Sequence, residues 1–230
     1  MIDKIDHFDR PVAGQLDGSL SRLGLTHVDL LVFHACSTDT ALAGLLAPGG
    51  GMDQVADEVR RGRVRFRGIS SHHPEVLRTA IRSGSCDVVM FPIGPFADPR
   101  YENEILPLAR ARGVGTVCFK TFGAGKLLGD TEGYQRPLSV RPRGKLSSGG
   151  TTDSEAVLPR LSVEECVHYT LTVDPDVALL GMSFPNEQDA AWAAARSFAQ
   201  LDSSRMADIR QRAALAIAGK GEVWWNPPSA

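Results

Sequence analysis

The 230 residues are 43% hydrophobic and 23% charged, with a formal net charge of −2, an ordinary globular composition that offers nothing to nucleic acid or an anionic membrane. The four dispersed cysteines, Cys36, Cys86, Cys118 and Cys166, include no CxxC pair, which argues against structural zinc, an iron–sulfur cluster and a disulfide framework. No apolar run reaches membrane-spanning length and the N-terminus is too polar for a signal peptide, so the expectation is a soluble, reduced, cytoplasmic protein.

The chain starts abruptly. Met1 to Asp6 reads as a strand stub that leads directly into His7-Phe8-Asp9-Arg10-Pro11, where acid and proline mark the start of a helix. Val12, Leu16, Leu20 and Leu23 recur at helical spacing, and Gly24 stands where a helix-terminating glycine belongs. His27 to Phe33 is short, almost wholly apolar and rich in strand formers, the pattern of a strand buried on both faces. His34 closes it. Parallel α/β sheets gather their chemistry at the carboxyl ends of strands, because the loops converge there. The plain alternative is a histidine that only caps a strand.

The same alternation then repeats. Residues 38–51 hold a short helical piece and the Pro48-Gly49-Gly50-Gly51 break, and Met52 to Arg61 reads as a helix ended by Gly62. A strand over Val64–Ile69 carries Ser70-Ser71-His72-His73 at its end, and Pro74 opens a helix to Arg82, ended by Gly84. Asp87–Pro92 is the next strand, Asn103–Arg112 a helix stopped by Gly113, and Val114–Phe119 a strand ending in Lys120-Thr121-Phe122-Gly123-Ala124-Gly125. That turn has the glycines, the cation and the backbone N–H groups that suit a diphosphate.

Residues 129–158 are rich in Gly, Pro, Ser and Arg and read as a long basic loop, either a solvated insertion or a lid over an anion. Ser162 to Glu165 reads as a capping box for a helix through Thr172. Asp176–Leu180 is predicted as a fifth full strand, followed by Gly181-Met182-Ser183 before a helix N-terminus, a natural phosphate site. Helices to Phe198 and over Ser203–Ala218 precede a Trp-Trp-Asn-Pro-Pro tail that packs on the sheet or crosses its mouth. Alternating strands and helices joined by short loops predict a parallel sheet with helices outside, in a single domain over residues 1–230. There is no GxGxxG after a first strand and no GxxxxGK[ST], so neither a Rossmann nor a P-loop reading has an anchor.

These residues resemble the aldo-keto reductase family. The segment from Ser19 through Arg22-Leu23-Gly24 and Val28-Asp29-Leu30-Leu31 to His34 is similar to that family's helix–strand segment ending in its active-site histidine. Gly62-Arg63-Val64-Arg65, with Gly68-Ile69-Ser70, is similar to the segment ending in the residues that hold the nicotinamide carboxamide, and Glu104 to Ala109 and Gly181-Met182-Ser183 also match.

The resemblance implies a (β/α)8 TIM-type barrel, here with about five full strands plus the stub and incomplete at its N-terminus. It implies NADP(H), with NAD(H) as the alternative, and reduction of a small-molecule aldehyde or ketone. In the family tetrad of Asp, Tyr, Lys and His, His34 matches the histidine and Lys4 the lysine, although Lys4 also reads as a solvated terminal lysine. The tyrosine and aspartate are expected upstream of residue 1, since Tyr101, Tyr134 and Tyr169 fall outside the matching segment.

Ser70 and Ser71 match the carboxamide-binding positions, Ser71 standing where Asn is frequent and Met90 where Gln is frequent. Phe119 matches the aromatic that stacks on nicotinamide, or is simply a core aromatic. Lys120, Thr121, Gly123, Gly125, Gly181, Met182 and Ser183 match the phosphate-binding turns, and Arg143 or Lys145 is the candidate for a 2′-phosphate. The tetrad tyrosine is the family's proton donor, and without it efficient turnover by this chain is not expected. The alternatives are a nicotinamide-cofactor-binding protein without turnover and a gene fragment without function. Exposed sheet edges would favour oligomers.

Overall fold

The computed structural model describes residues 1–129, 158–181, 185–221 and 223–226. Six strands hydrogen-bond in chain order: β1 (Ile2–Ile5), β2 (Val28–Phe33), β3 (Val64–Ser70), β4 (Val88–Pro92), β5 (Gly115–Phe119) and β6 (Val177–Ala178). The pairs β1–β2, β2–β3 and β3–β4 are parallel. The stub at the start is a true strand, since all four residues of β1 have partners on β2, from Ile2 opposite Leu30 to Ile5 opposite Phe33. The full strand expected over residues 176–180 shrinks to the two residues of β6, and Leu179 N–H still donates to Cys118 C=O at 2.8 Å. No helix among the described residues is long and apolar enough to cross a membrane.

The described chain gathers into two compact units. The first holds Met1–Phe91 and Arg100–Val117. Here α1 (Val12–Leu23), α2 (Asp39–Leu46), α3 (Gly51–Arg60), α4 (Pro74–Ser83) and α5 (Leu106–Ala111) alternate with the strands. α1 and α4 end in left-handed glycines, Gly24 and Gly84, as the sequence required. In β2 every residue except Asp29 is buried, so this central strand reads as a continuous apolar run. β3 can lie close beside β4 because Gly68 has no side chain: a Cβ there would fall 2.0 Å from the Val88 carbonyl oxygen. Before α5 the chain makes one wide turn over Tyr101–Ile105, where Leu106 N–H reaches Tyr101 C=O. Glu58 of α3 is only 2% exposed, and its charge is met by Arg61 at 3.0 Å and Arg63 at 2.6 Å.

The second unit holds Pro92–Pro99 and Cys118–Asn226. Its core joins the short helical turn Gly123–Leu128 to α6 (Val163–Val173), α7 (Pro185–Arg196) and α8 (Ser203–Ile217), through Phe122, Leu127, Tyr169, Ile209, Ala213 and Trp225. The expected capping box opens α6. Ser162 Oγ accepts from Glu165 N–H at 3.1 Å, and Glu165 Oε2 accepts from Ser162 N–H at 3.0 Å. The tail does pack inward: buried Trp225 donates its Nε1–H to Phe96 C=O at 2.9 Å, and Asp98 N–H donates to Asn226 Oδ1 at 2.9 Å. The basic loop with Arg143 and Lys145 lies outside the described residues.

Candidate active site

In the first unit the register aligns the polar residues of the carboxyl edge. Lys4 and Gly68 both lie opposite Val32, and Ser70 lies opposite Met90. Side chains alternate along a strand, so Lys4 shares a sheet face with Val32 and Gly68 beside it and with Ser70 further along β3, while Asp6 and His34 follow directly after β1 and β2. His34 and Lys4 are exposed, whereas Ser70, Ser71 and Met90 are buried.

The backbone around His34 is held from two sides. Its own N–H donates to Ile5 C=O at 2.8 Å, and Cys36 N–H donates to Ser70 C=O at 2.8 Å. Between them Ala35 takes a left-handed conformation, φ 53°, and donates its N–H to Ser70 Oγ at 2.9 Å. Ser70 is therefore first a clamp on the loop that presents His34. Ser71 is used similarly: its N–H donates to Met90 C=O at 3.0 Å, and its Oγ accepts from His73 N–H at 3.1 Å just before α4. Sequence reasoning did not find these contacts, nor the ring of His34 turned to Asp6, with Nδ1 2.6 Å from Asp6 Oδ1. The one available signal was the spacing of two between Lys4 and Asp6, which puts both on the same face of a strand.

In the second unit Phe119 is partly exposed at the end of β5, and its C=O accepts from Ile93 N–H at 2.9 Å. Lys120 follows with φ 73°, and its Nζ lies 5.0 Å from the centre of the Trp224 ring, a cation–π distance. Thr121 is buried and accepts from the Thr170 hydroxyl at 3.3 Å. Gly123, Ala124 and Gly125 are all left-handed.

The amides of this turn close the turn itself. Gly123 N–H donates to Lys120 C=O at 2.8 Å, and Gly125 N–H to Phe122 C=O at 2.9 Å. Gly94 lets the preceding segment pass close by, since a Cβ on it would lie 2.9 Å from the Lys120 carbonyl oxygen. Two buried lysines, which the sequence did not single out, lock the turn to the end of the chain. Lys126 Nζ donates to Lys220 C=O, while Lys220 Nζ donates to Lys126 C=O at 3.3 Å and Pro159 C=O at 2.8 Å. Burial, and then the nearby charge of Arg160, lowers the Lys220 pKa. Gly181 is exposed, and Met182 and Ser183 lie outside the described residues.

The four cysteines are free and buried. Burial pushes the Cys36 thiol up to about 11 and the Cys86 and Cys118 thiols to about 12, and it raises Cys166 as well. All four stay protonated at neutral pH and are poor nucleophiles. Of the tyrosines, Tyr101 is buried and donates its hydroxyl to His72 C=O, and Tyr169 is buried with its hydroxyl accepting from Arg210 Nε–H. Tyr134 lies outside the described residues.

In the first unit two buried serine hydroxyls act as acceptors within the fold. In the second, a partly exposed aromatic and a lysine follow one another at a strand end, beside a turn with three left-handed residues.

The sequence profile of the Aldo/keto reductase family matches residues 9–212. Pyridoxal 4-dehydrogenase from Microbacterium luteolum is 27% identical over 133 residues, which are 54% of this chain and 39% of that relative's length. Among solved structures, aldo-keto reductase AKR11C1 from Bacillus halodurans in its holo form superposes with a TM-score of 0.62 at 21% identity, over 94% of this chain and 70% of its own. The glycerol dehydrogenase AKR11B4 from Gluconobacter oxydans gives 0.60 at 18% identity, over 96% of this chain and 67% of its own. These likenesses show the fold, a parallel α/β sheet of the (β/α)8-barrel type. A profile match running from just before the first helix into the last, on a fold shared with solved reductases, shows that this chain belongs to the aldo/keto reductase family.

Proposed function

We propose that this chain is a nicotinamide-dependent oxidoreductase that interconverts a small aldehyde or ketone and the corresponding alcohol, with NADP(H) as cofactor and NAD(H) as the alternative. The observation that carries the reading is the family match over residues 9–212, and it is supported by His34 and Ser70 at the carboxyl ends of neighbouring β2 and β3, with Lys4 opposite Val32 on β1. When bound, the cofactor supplies or takes up the hydride.

The chain's own residues do the rest. Lys4 contributes positive charge near the reacting oxygen, and His34 presents an imidazole to it. Ser70 steadies the His34 loop and, with Ser71, offers hydroxyl protons to the carboxamide. Phe119 supplies an aromatic face. Lys120 supplies positive charge for the phosphates, the Gly123 and Gly125 amides being held within their own turn. Pyridoxal and glycerol enter the substrate panel because a similar protein and a similar solved structure are named for them.

A second reading, cofactor binding without turnover, is favoured by one observation. Both tyrosines among the described residues are buried and engaged in hydrogen bonds, so neither offers a phenol to this edge. One experiment separates the two. The purified chain is titrated with NADPH and NADH by cofactor fluorescence, then assayed for cofactor oxidation and reduction over carbonyls and alcohols. Saturable binding with turnover that His34→Gln abolishes supports the first reading. Binding without turnover supports the second, and no binding of either cofactor refutes both.

A further inference from the structure

The edge that carries His34 holds one more group within reach of the chemistry. Asp6, the first residue after β1, places Oδ1 2.6 Å from His34 Nδ1. Both side chains stay open to solvent, at 43% for His34 and 69% for Asp6. An ion pair or hydrogen bond so exposed adds little to stability, so what the contact changes is the orientation and tautomer of the ring.

A carboxylate can only accept, so the ring nitrogen facing Asp6 must be the donor, Nδ1–H. The other nitrogen, Nε2, then carries the lone pair in the neutral ring and a proton in the charged one. The backbone on either side of the ring is already fixed. His34 N–H is bound to Ile5 C=O, and the Ala35 and Cys36 amides are bound to Ser70. Only the side-chain torsions of His34 are left to set, and Asp6 sets them. The other groups at this edge are the charged Lys4, two residues before Asp6, and the neutral Ser70 and Met90 from β3 and β4.

We propose that Asp6 is a positioning residue for His34, holding Nδ1–H so that Nε2 alone is presented to the substrate oxygen. This rests on the carbonyl–alcohol reading above. In the oxidising direction neutral His34 would accept a hydrogen bond from the alcohol at Nε2, and in the reducing direction the charged ring would donate Nε2–H to the carbonyl oxygen. The cofactor, when bound, would take up or supply the hydride.

The test reads the ring without substrate or cofactor. Long-range 1H–15N spectra of the whole chain, with the His34 signals assigned by their loss in His34→Gln, are recorded at a pH where the ring is neutral. The expected spectrum shows His34 protonated at Nδ1, and Asp6→Ala shifts it to the Nε2–H form that free imidazole side chains favour. Asp6→Glu restores the Nδ1–H pattern. In turnover, Asp6→Ala lowers kcat roughly 10²-fold, with the KM for the carbonyl and the affinity for NADPH unchanged. A wild-type ring protonated at Nε2, or the same spectrum in wild type and Asp6→Ala, overturns the proposal. The wild-type spectrum decides this even if a variant fails to fold. Failure of the carbonyl–alcohol reading is a separate result, read from the substrate panel alone.

Discussion

Gly68→Ala tests the geometry that brings the candidate site together. The added Cβ would meet the Val88 carbonyl oxygen at 2.0 Å, the Val88 carbonyl carbon at 3.0 Å and Val32 Cγ1 at 3.4 Å. The first two are backbone atoms of the adjacent strand, and no rotamer change moves them. β3 and β4 must separate where Gly68 faces Val88, two residues before Ser70 faces Met90. Overpacking of this kind costs about 1–3 kcal/mol, and a backbone obstacle places this case at the upper end. The stiffer unfolded chain of the alanine variant offsets about 0.4–1 kcal/mol.

The net loss of about 2 kcal/mol corresponds to a fall of roughly 4–8 °C in Tm for a chain of this size. Thermal unfolding followed by circular dichroism measures it. Urea unfolding should show a lower midpoint with an unchanged slope. The Ser71 amide, which donates to Met90 C=O across this ladder, should exchange its hydrogen faster. An unchanged midpoint together with unchanged exchange at Ser71 would refute the close approach of β3 and β4 at Gly68.

Gly14→Ala is the counterpart: the glycine lies within α1, and a Cβ added there would meet nothing within 4 Å, so the variant should gain about 0.5–1 kcal/mol of stability in the same urea assay. Trp225→Phe removes the Nε1–H donor to Phe96 C=O while keeping an aromatic in the core. It should cost about 1–3 kcal/mol, seen as a lower urea midpoint. Glu165 tests the acid limb. Burial raises its pKa, but hydrogen bonds from Arg212 and Ser162 N–H and the charges of Arg212 and Arg205 outweigh burial and leave it below the ordinary value of 4.5. A depressed carboxyl contributes stability above its unfolded pKa and loses it as pH falls through the folded one. The stability difference between wild type and Glu165→Gln should therefore be full above about pH 5 and shrink below pH 4.5; a difference that grows on acidification would reverse the sign of this reasoning.

What the sequence determined by itself was local. Short strand-forming segments set between helix-ending glycines and prolines marked β2, β3, β4 and β5, and apolar residues at helical spacing marked α1, because a helix buries one stripe and leaves a repeat near 3.6 residues. The left-handed glycines at Gly24 and Gly84 and the Ser162–Glu165 capping box were legible because a helix end is satisfied by residues adjacent in the chain. The family resemblance reached further, to the family itself and its parallel α/β fold.

What only the tertiary structure decided depends on partners far along the chain. Asp176–Leu180 has the composition of a strand, yet only Val177 and Ala178 find a ladder, because a strand exists only where a neighbour receives its hydrogen bonds. The Asp6–His34 contact spans 28 residues, the Ser70 clamp on Ala35 spans 35, and the exchange between Lys126 and Lys220 spans 94. A serine at a strand end is the same letter whether its hydroxyl faces a ligand or an amide of the next loop. Burial and the direction of the neighbouring backbone make that choice, and both arise only when the strands are side by side.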